Sequence, residues 1–232
     1  MKTGIKCLQK MFFLLVMGFS ICAVQACSDD EEVLENGNVM VNGHEAVDLG
    51  LSVKWATCNI GSNAPEESGE FYAWGEIKER SNFDWHTYKW CNGSSESMTK
   101  YCSSGAFGKV DDKTVLDPED DVAHVKWGGK WRIPTCEEMK ELVNECTWEW
   151  GTYEDVEGYL VTGPNGNSIF FPAVGYLRGT NFIYRGSYGL YWSATLTEES
   201  SYAYILFCGD NDIDCTGGWL RRCGLPIRPV TK

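Results

Sequence analysis

The chain has 232 residues, of which 43% are hydrophobic, and a formal net charge of −13 at pH 7. This length and apolar content suffice for one globular domain with a complete core behind a short spacer. The acidic excess repels phosphate backbones and anionic headgroups, which argues against nucleic acid as a partner and against membrane binding through the protein surface.

The first 26 residues have the pattern of an export signal. Three lysines flank an apolar run over 11–26, which is shorter than the roughly 18 to 20 residues needed to cross a bilayer. Small residues precede Cys27, and an acidic run over 28–32 follows it. We therefore predict that 1–26 is removed on export, and the loss of its three lysines takes the charge from −13 to −16.

The junction resembles that of bacterial lipoproteins, in which the cysteine after the cut is acylated. This resemblance makes Cys27 the predicted lipid attachment site and the membrane anchor. The acidic run resembles the tag that directs lipoproteins of Bacteroidetes-type bacteria to the cell surface, which implies a lipid-anchored protein of the outer membrane. The alternative is an ordinary secretory peptide followed by a solvated linker.

After the signal, composition and the spacing of apolar residues predict a tether, two strands and a long loop. Residues 27–43 are acidic and rich in Asn and Gly, which predicts a flexible tether before a domain over 44–232. Apolar residues alternate with small or polar ones over 47–57, and a short aromatic run follows over 69–75. These two patterns predict two early strands. Residues 76–116 have no clean period and are predicted to form a long loop.

Two short helices and a set of strands follow. Asp117 before Pro118 predicts a helix start with acidic capping residues, and Thr135 with Glu138 has the spacing of a capping box. Asn165-Gly166 predicts a hairpin turn. The predicted later strands are 158–163, 168–172, 191–195, 203–208 and 225–230. This order predicts an α+β fold with antiparallel sheets and long loops.

Eight of the eleven cysteines lie beyond Cys27 in the exported part of the chain, which favours structural disulfides. A bridge between Cys136 and Cys146 is disfavoured, because a helix over these residues separates them by about 15 Å. The preferred pairs are Cys91 with Cys102 and Cys215 with either Cys208 or Cys223.

The segment from Asp121 to Glu138, with Trp131-Arg132-Ile133-Pro134-Thr135 at its centre, resembles the signature of C-type-lectin-like domains. The supporting segments are Val47 to Asn59, Phe71 to Glu76, Tyr88 to Gly93, Leu116 to Thr135, Asn165 to Tyr176, Tyr191 to Thr195 and Gly224 to Val230. Together they resemble the Fibrobacter succinogenes major paralogous domain family over roughly residues 45–231. The resemblance implies a C-type-lectin-like fold on an exported protein.

The same resemblance places the ligand face in the C-terminal region, where aromatic, Asn and Asp side chains suit sugar hydroxyls or protein contacts. The candidate ligand-binding residues are Tyr184, Arg185, Tyr188, Tyr202, Asp210, Asn211, Asp212, Asp214, Trp219 and Arg221, with Arg222 beside them. The alternative is that the aromatic residues belong to the core and the polar ones to ordinary loops.

The alternating acids Asp210, Asp212 and Asp214 suggest calcium, but Cys215 and Arg221 occupy the positions where an EF-hand loop needs Gly and Glu. A polar turn is therefore favoured, and we predict no metal and no cofactor. Neither Gly-x-Ser-x-Gly nor His-Glu-x-x-His occurs, so we name no catalytic residue and predict that the chain is not an enzyme.

These observations predict a surface-anchored, non-catalytic lipoprotein that presents a lectin-like domain to a glycan or protein ligand. A structural or assembly role, at a fimbrial tip or in an outer-membrane complex, is the alternative. An oxidoreductase like the formylglycine-generating enzyme, which shares the fold and uses a C-terminal cysteine pair, is less favoured. Here that pair would be Cys215 and Cys223.

Overall fold

The computed structural model describes residues 31–209 and 212–232. Within them the chain is α+β, with antiparallel sheets and short helices. The predicted export signal and the predicted acylation site Cys27 lie outside the described residues. In the part that is described, no helix is both long enough and apolar enough to cross a membrane.

The first sheet brings the two ends of the described chain together. Its strands, in spatial order, are β1 Glu31–Val33, β2 Val39–Val41, β3 His44–Val47, β4 Lys54–Ala56 and β14 Val230–Thr231. Arg228, which is fully buried, donates to the backbone carbonyls of Ala56, Thr57 and Phe170 and so ties this sheet to the next one.

This sheet corrects the predicted tether over 27–43, because its residues from 31 onward belong to the folded domain. Asn42 and Gly43, with φ of 46° and 80°, form the two-residue turn between β2 and β3. This Asn-Gly pair is a hairpin signal, but the acidic, Asn- and Gly-rich composition around it predicts a tether instead. Val41 is buried, and its carbonyl accepts a 2.8 Å hydrogen bond from the Trp131 indole.

The helices are a single 3-10 turn Pro118–Asp120, α1 Val122–Trp127 and α2 Cys136–Glu145. The predicted capping box of α2 is confirmed. The helix start predicted at Asp117 and Pro118 is confirmed for the 3-10 turn, whereas α1 has its own cap, Asp121, which accepts from the amides of Ala123 and His124. Asp117 and Asp120 instead bind Lys100, each at 2.6 Å, so helix capping does not explain these two acids.

Three further sheets complete the fold. The second contains β5 Thr147–Tyr153, β6 Val156–Thr162 and β7 Ser168–Pro172, the third β8 Tyr176–Arg178 and β9 Asn181–Ile183, and the fourth β10 Gly189–Leu196, β11 Tyr202–Gly209, β12 Asp212–Asp214 and β13 Gly218–Leu220. The predicted hairpin 158–172 is confirmed. The aromatic run 69–75 forms only an isolated bridge, between Tyr72 and Leu225, and the predicted strand 225–230 is reduced to the start of β14.

The long loop 76–116 contains neither helix nor strand, as predicted. It is held by side chains that enter the core rather than by a disulfide. Tyr88 and Tyr101 are buried, and the Arg221 guanidinium donates to the Tyr88 hydroxyl at 2.9 Å and to the Tyr101 carbonyl at 2.9 Å. The loop is therefore an integral part of the core.

The eight cysteines in the described residues are free thiols, so none of the preferred pairs is bonded in this structure. Cys91 and Cys102 each donate to a different backbone carbonyl, those of Trp85 and Ser104. Cys215 and Cys223 belong to different core clusters. Cys208 lies diagonally across the β11–β12 ladder from Cys215, a relation that separates Cα atoms by about 7 to 8 Å.

Candidate functional site

A continuous row of aromatic rings runs across the C-terminal part of the fold. We call it the aromatic face, and its members are Tyr176, Tyr184, Tyr188, Phe207 and Trp219. The ring centroids are separated by 5.0 Å for Trp219 and Tyr176, 6.2 Å for Tyr176 and Tyr184, 4.8 Å for Tyr184 and Tyr188, and 5.3 Å for Tyr188 and Phe207. These spacings lie in the range of favourable ring pairs, so the rings support one another.

The row is exposed at its middle ring and packed more deeply on both sides of it. Tyr184 is 52% exposed, while Tyr188, Phe207 and Trp219 are half-buried and Tyr176 is buried. Rings that are packed against buried neighbours lose little conformational entropy when a ligand covers them. The aromatic face is therefore a preorganised apolar surface open to solvent.

A tight turn after β9 carries Tyr184, the exposed ring of the row. Tyr184 has φ of 59°, in the left-handed region, and its carbonyl accepts from the amides of Ser187 and Tyr188. Gly175 lies against this turn, since a Cβ there would approach the Ile183 carbonyl oxygen to 2.1 Å. The close approach of two backbones thus fixes where the ring emerges.

Strand β11 and its neighbour β13 supply the two ends of the row, Phe207 and Trp219. Side chains alternate along a strand, and Phe207, Ile205 and Ala203 share one side of β11. Trp219 pairs with Ala203, and Asp214 pairs with Phe207. Paired residues point to the same side of a sheet, so the side chains of Trp219 and Asp214 lie on the same side as Phe207.

A groove of about 900 Å³ adjoins the turn that carries Tyr184. Arg185 and Gly186 line one wall, and the carbon of the Arg185 guanidinium lies 5.3 Å from the centroid of the Phe182 ring. The carboxylates in the lining are Glu66, Glu67, Asp155 and Glu157. We call this feature the acidic groove.

The electrostatics of the acidic groove favour neutral or cationic groups. Its four carboxylates outnumber the single Arg185, and no ion pair joins Arg185 to any residue that the structure describes. An anionic ligand would meet net repulsion there. Hydroxyl groups, by contrast, donate to carboxylates and accept from a guanidinium.

The structure corrects the prediction that Arg221 binds a ligand. Its side chain is completely buried, and three of its hydrogen bonds go to the carbonyls of Lys100, Tyr101 and Ser200. The adjacent Arg222 is also buried and donates to the Phe83 carbonyl. Both arginines hold the long loop against the core and are inaccessible to a ligand.

Other predicted site residues divide between the face and its surroundings. Tyr184, Arg185, Tyr188 and Trp219 are brought together, whereas Asp210 and Asn211 lie outside the described residues. Asp212 is exposed at the start of β12. Tyr202 is an odd number of positions from Phe207 on β11 and points to the opposite side, where it borders a separate depression of about 300 Å³.

Asp214 serves as the acceptor of a tight turn. Its carboxylate accepts from the Thr216 amide and hydroxyl and from the Gly217 amide. Burial raises the pKa of Asp214, but these hydrogen bonds outweigh burial, and its pKa lies below the ordinary value. Among the residues that the structure describes, no three His, Cys, Asp or Glu side chains are arranged to hold a metal ion.

The sequence reasoning missed part of the site. Tyr176 and Phe207 are not among the residues predicted from the sequence, because Phe207 is an odd number of positions from Tyr202 and Tyr204 and so breaks their alternation along β11. The groove carboxylates have no sequence signal, because they come from two chain segments that meet only in the fold.

Comparison with known proteins gave no match: no protein-family model, no curated protein and no solved structure is significantly similar to this chain. The function therefore has to be inferred from the geometry of the chain itself.

Proposed function

We propose that this chain is a lipid-anchored binding protein of the cell surface that holds a neutral glycan on its aromatic face. The observation that supports the proposal is the row of five packed rings from Phe207 to Trp219, which is exposed at its middle ring Tyr184. Pyranose rings present an apolar C–H face that stacks on aromatic rings, while their hydroxyls need polar partners.

The surroundings of the face favour a neutral sugar over an acidic one. Asp212 on strand β12 and the acidic groove beside the turn of Tyr184 supply acceptors for hydroxyl groups. The same carboxylates repel uronic acids and sulfate esters. The proposed ligand is therefore an uncharged oligosaccharide long enough to reach from the rings to the groove.

The proposal includes the C-type-lectin-like fold and kinship with the Fibrobacter succinogenes major paralogous domain family, on the sequence resemblance given above. It also includes a non-catalytic role. Burial raises the pKa of Cys215 and of Cys223 to about 11 each, so neither thiol forms the reactive thiolate readily at neutral pH. Their separate core clusters further disfavour a catalytic cysteine pair.

Calorimetric titration with neutral and uronate-containing oligosaccharides tests the proposal. We expect binding of a neutral oligosaccharide, at least about tenfold weaker binding by Tyr184→Ala, and no binding of the uronates. The matched control is Trp150→Ala, since Trp150 is 42% exposed but lies outside the face. Equal loss in both variants, or preference for the uronate series, would contradict the proposal.

The anchor is tested separately in cells. Metabolic labelling with a fatty-acid analogue is expected to mark the wild-type chain and to leave Cys27→Ser unmarked, and protease added to intact cells is expected to degrade the domain. An unlabelled wild-type chain would contradict the predicted lipid anchor, and resistance to the protease would contradict exposure on the cell surface. Neither result would affect the proposed ligand site.

A second candidate function, assembly with another protein, is favoured by one observation. Strand β5 is an outer strand of its sheet, and six of its seven residues are exposed. It contains neither Lys nor Pro, the residues that usually protect such edges. Glu149, Glu154 and Asp155 lie on or beside it, so its expected partner is an extended segment with basic side chains.

Fluorescence polarisation with a labelled extended peptide of alternating Lys and Thr tests this candidate. Wild-type binding that is lost in Glu149→Lys but kept in the control Glu198→Lys, an exposed acid elsewhere on the surface, would support strand addition at β5. Equal losses in the two variants would show that only net charge attracts the peptide.

A further inference from the structure

Three buried cysteines lie near the contact of helix α2 with strand β11. Cys136 is the first residue of α2, Cys208 is near the end of β11, and Cys215 directly follows β12. Each is at most 5% exposed. None of them takes part in the proposed ligand site.

Cys136 and Cys215 are in direct contact. The Cys136 Sγ lies 3.5 Å from the backbone carbonyl oxygen of Cys215, and the two residues are 79 positions apart in the chain. The Cys136 amide donates to the Thr195 hydroxyl at 3.1 Å, which fixes the start of the helix over the sheet. The Cys136 thiol and the backbone of Cys215 are thus held together by the fold and not by sequence proximity.

The third thiol, that of Cys208, is less suitably placed to form a disulfide with Cys215. Cys208 is opposite Ile213, so it is a diagonal neighbour of Cys215, and diagonal Cα atoms are about 7 to 8 Å apart. A disulfide usually needs Cα atoms within about 6.8 Å. Cys208 lies within β11, whereas Cys215 follows the last paired residue of β12 and precedes an exposed turn, so it can adjust toward the helix.

We propose that Cys136 and Cys215 form a disulfide under oxidising conditions and that this bond fastens the turn after β12 to helix α2. The turn comprises residues 214–217 and lies next to β13, which carries Trp219. The cross-link would therefore stabilise one border of the aromatic face. It closes a loop of 79 residues, a length at which a cross-link strongly restricts the unfolded chain.

The oxidant is a disulfide of low molecular weight, such as oxidised glutathione. One protein thiolate attacks it, which forms a mixed disulfide and releases one glutathione thiolate. The second protein thiolate then attacks the protein sulfur of the mixed disulfide and releases the second glutathione. The two cysteines lose two electrons and two protons, and the oxidised glutathione becomes two reduced molecules.

Burial and the neighbouring thiol set the pH dependence of this reaction. Burial, followed by the nearby Cys136, raises the pKa of Cys215 to about 11, and burial likewise raises the pKa of Cys136. The groups that face Cys215 also include Asp214, Lys140 and Glu137. Because the thiolate reacts, we expect oxidation to accelerate as the pH rises from neutrality toward about 11.

Peptide mapping of the full chain tests the proposal without any glycan, so its outcome is independent of the ligand site. The reduced protein is incubated with a glutathione redox buffer, alkylated, digested without reduction and analysed by mass spectrometry. We expect the Cys136 peptide linked to the Cys215 peptide, and two fewer alkylated thiols than in the reduced sample. Recovery of both peptides alkylated, or of Cys215 linked to another cysteine, would overturn the proposal.

Serine variants test which cysteines are bonded, and hydrogen exchange tests whether the bond stabilises the turn. Cys136→Ser is expected to abolish the linked peptide and Cys208→Ser to preserve it. Oxidation of the wild-type chain is also expected to slow amide exchange at Thr216 and Gly217, and an unchanged rate there would show that the turn is not fastened. The wild-type peptide map decides the pairing even if a serine variant does not fold.

Discussion

Replacing Arg221 by methionine is expected to destabilise the domain without touching the ligand face. Methionine keeps much of the side-chain volume but cannot donate a hydrogen bond. The Arg221 guanidinium donates to the carbonyls of Tyr101 and Ser200 at 2.9 Å and 2.7 Å in fully buried surroundings. In the variant both oxygens lose this donor.

The magnitude follows from the number of buried acceptors that lose a donor. Each buried polar group left without a partner costs about 1 to 3 kcal/mol, so the two carbonyls predict a loss of about 2 to 6 kcal/mol in the free energy of unfolding. The Lys100 carbonyl is only partly buried and can be hydrated, so it adds little. For a domain with about 5 to 15 kcal/mol of stability the change is large.

Urea unfolding followed by tryptophan fluorescence measures the change. The matched control is Arg185→Met, which removes an exposed guanidinium and is expected to change stability by less than about 0.5 kcal/mol. A loss below about 1 kcal/mol for Arg221→Met would refute the assignment of this residue to the core, as would a selective loss of ligand binding at unchanged stability.

Three further predictions concern the scaffold. Gly175→Ala forces a Cβ to within 2.1 Å of a carbonyl oxygen and should lower thermal stability by more than about 1 kcal/mol, whereas Gly151→Ala, which meets no atom within 4 Å, should not. Thr135→Ala removes the N-cap of α2 and should cost about 1 kcal/mol in urea unfolding; no change would show that the cap is dispensable. Hydrogen bonds from Lys100 and then Lys113 hold the pKa of Asp117 below its ordinary value, so its stabilising contribution is present above about pH 4 and is lost as the pH falls. Urea midpoints between about pH 5 and pH 2 should therefore fall less in Lys100→Met than in the wild type, and parallel curves would refute this role of the ion pair.

Local signals in the sequence were sufficient for several elements. Thr135 and Glu138 predict the start of α2 because the capping box involves neighbouring backbone groups only. The strand 168–172 and its Asn-Gly turn were likewise readable, since a hairpin is stabilised by residues close in sequence. The same signal at Asn42 and Gly43 was outweighed by the acidic composition around it, which suggested a tether.

Contacts between distant segments could not be read in this way. Arg221 stands among candidate ligand residues in the sequence, yet its partner Tyr88 lies 133 positions earlier and draws it into the core. The acidic groove combines residues near 66, 156 and 185, and no periodicity links them. Aromatic composition suggested a ligand face, but only the register of β11 with β12 and β13 shows which rings and carboxylates share a side.

The most direct test of the glycan-binding face is the indole N–H spectrum of the chain during titration with a neutral oligosaccharide. The chain has ten tryptophans, and Trp219 is the one on the aromatic face. We predict a saturable shift of the Trp219 indole signal, while those of the buried Trp131 and Trp192 and of the exposed Trp150 stay in place. An unmoved Trp219 signal at saturation, or a shift centred on Trp150, would contradict the proposed site.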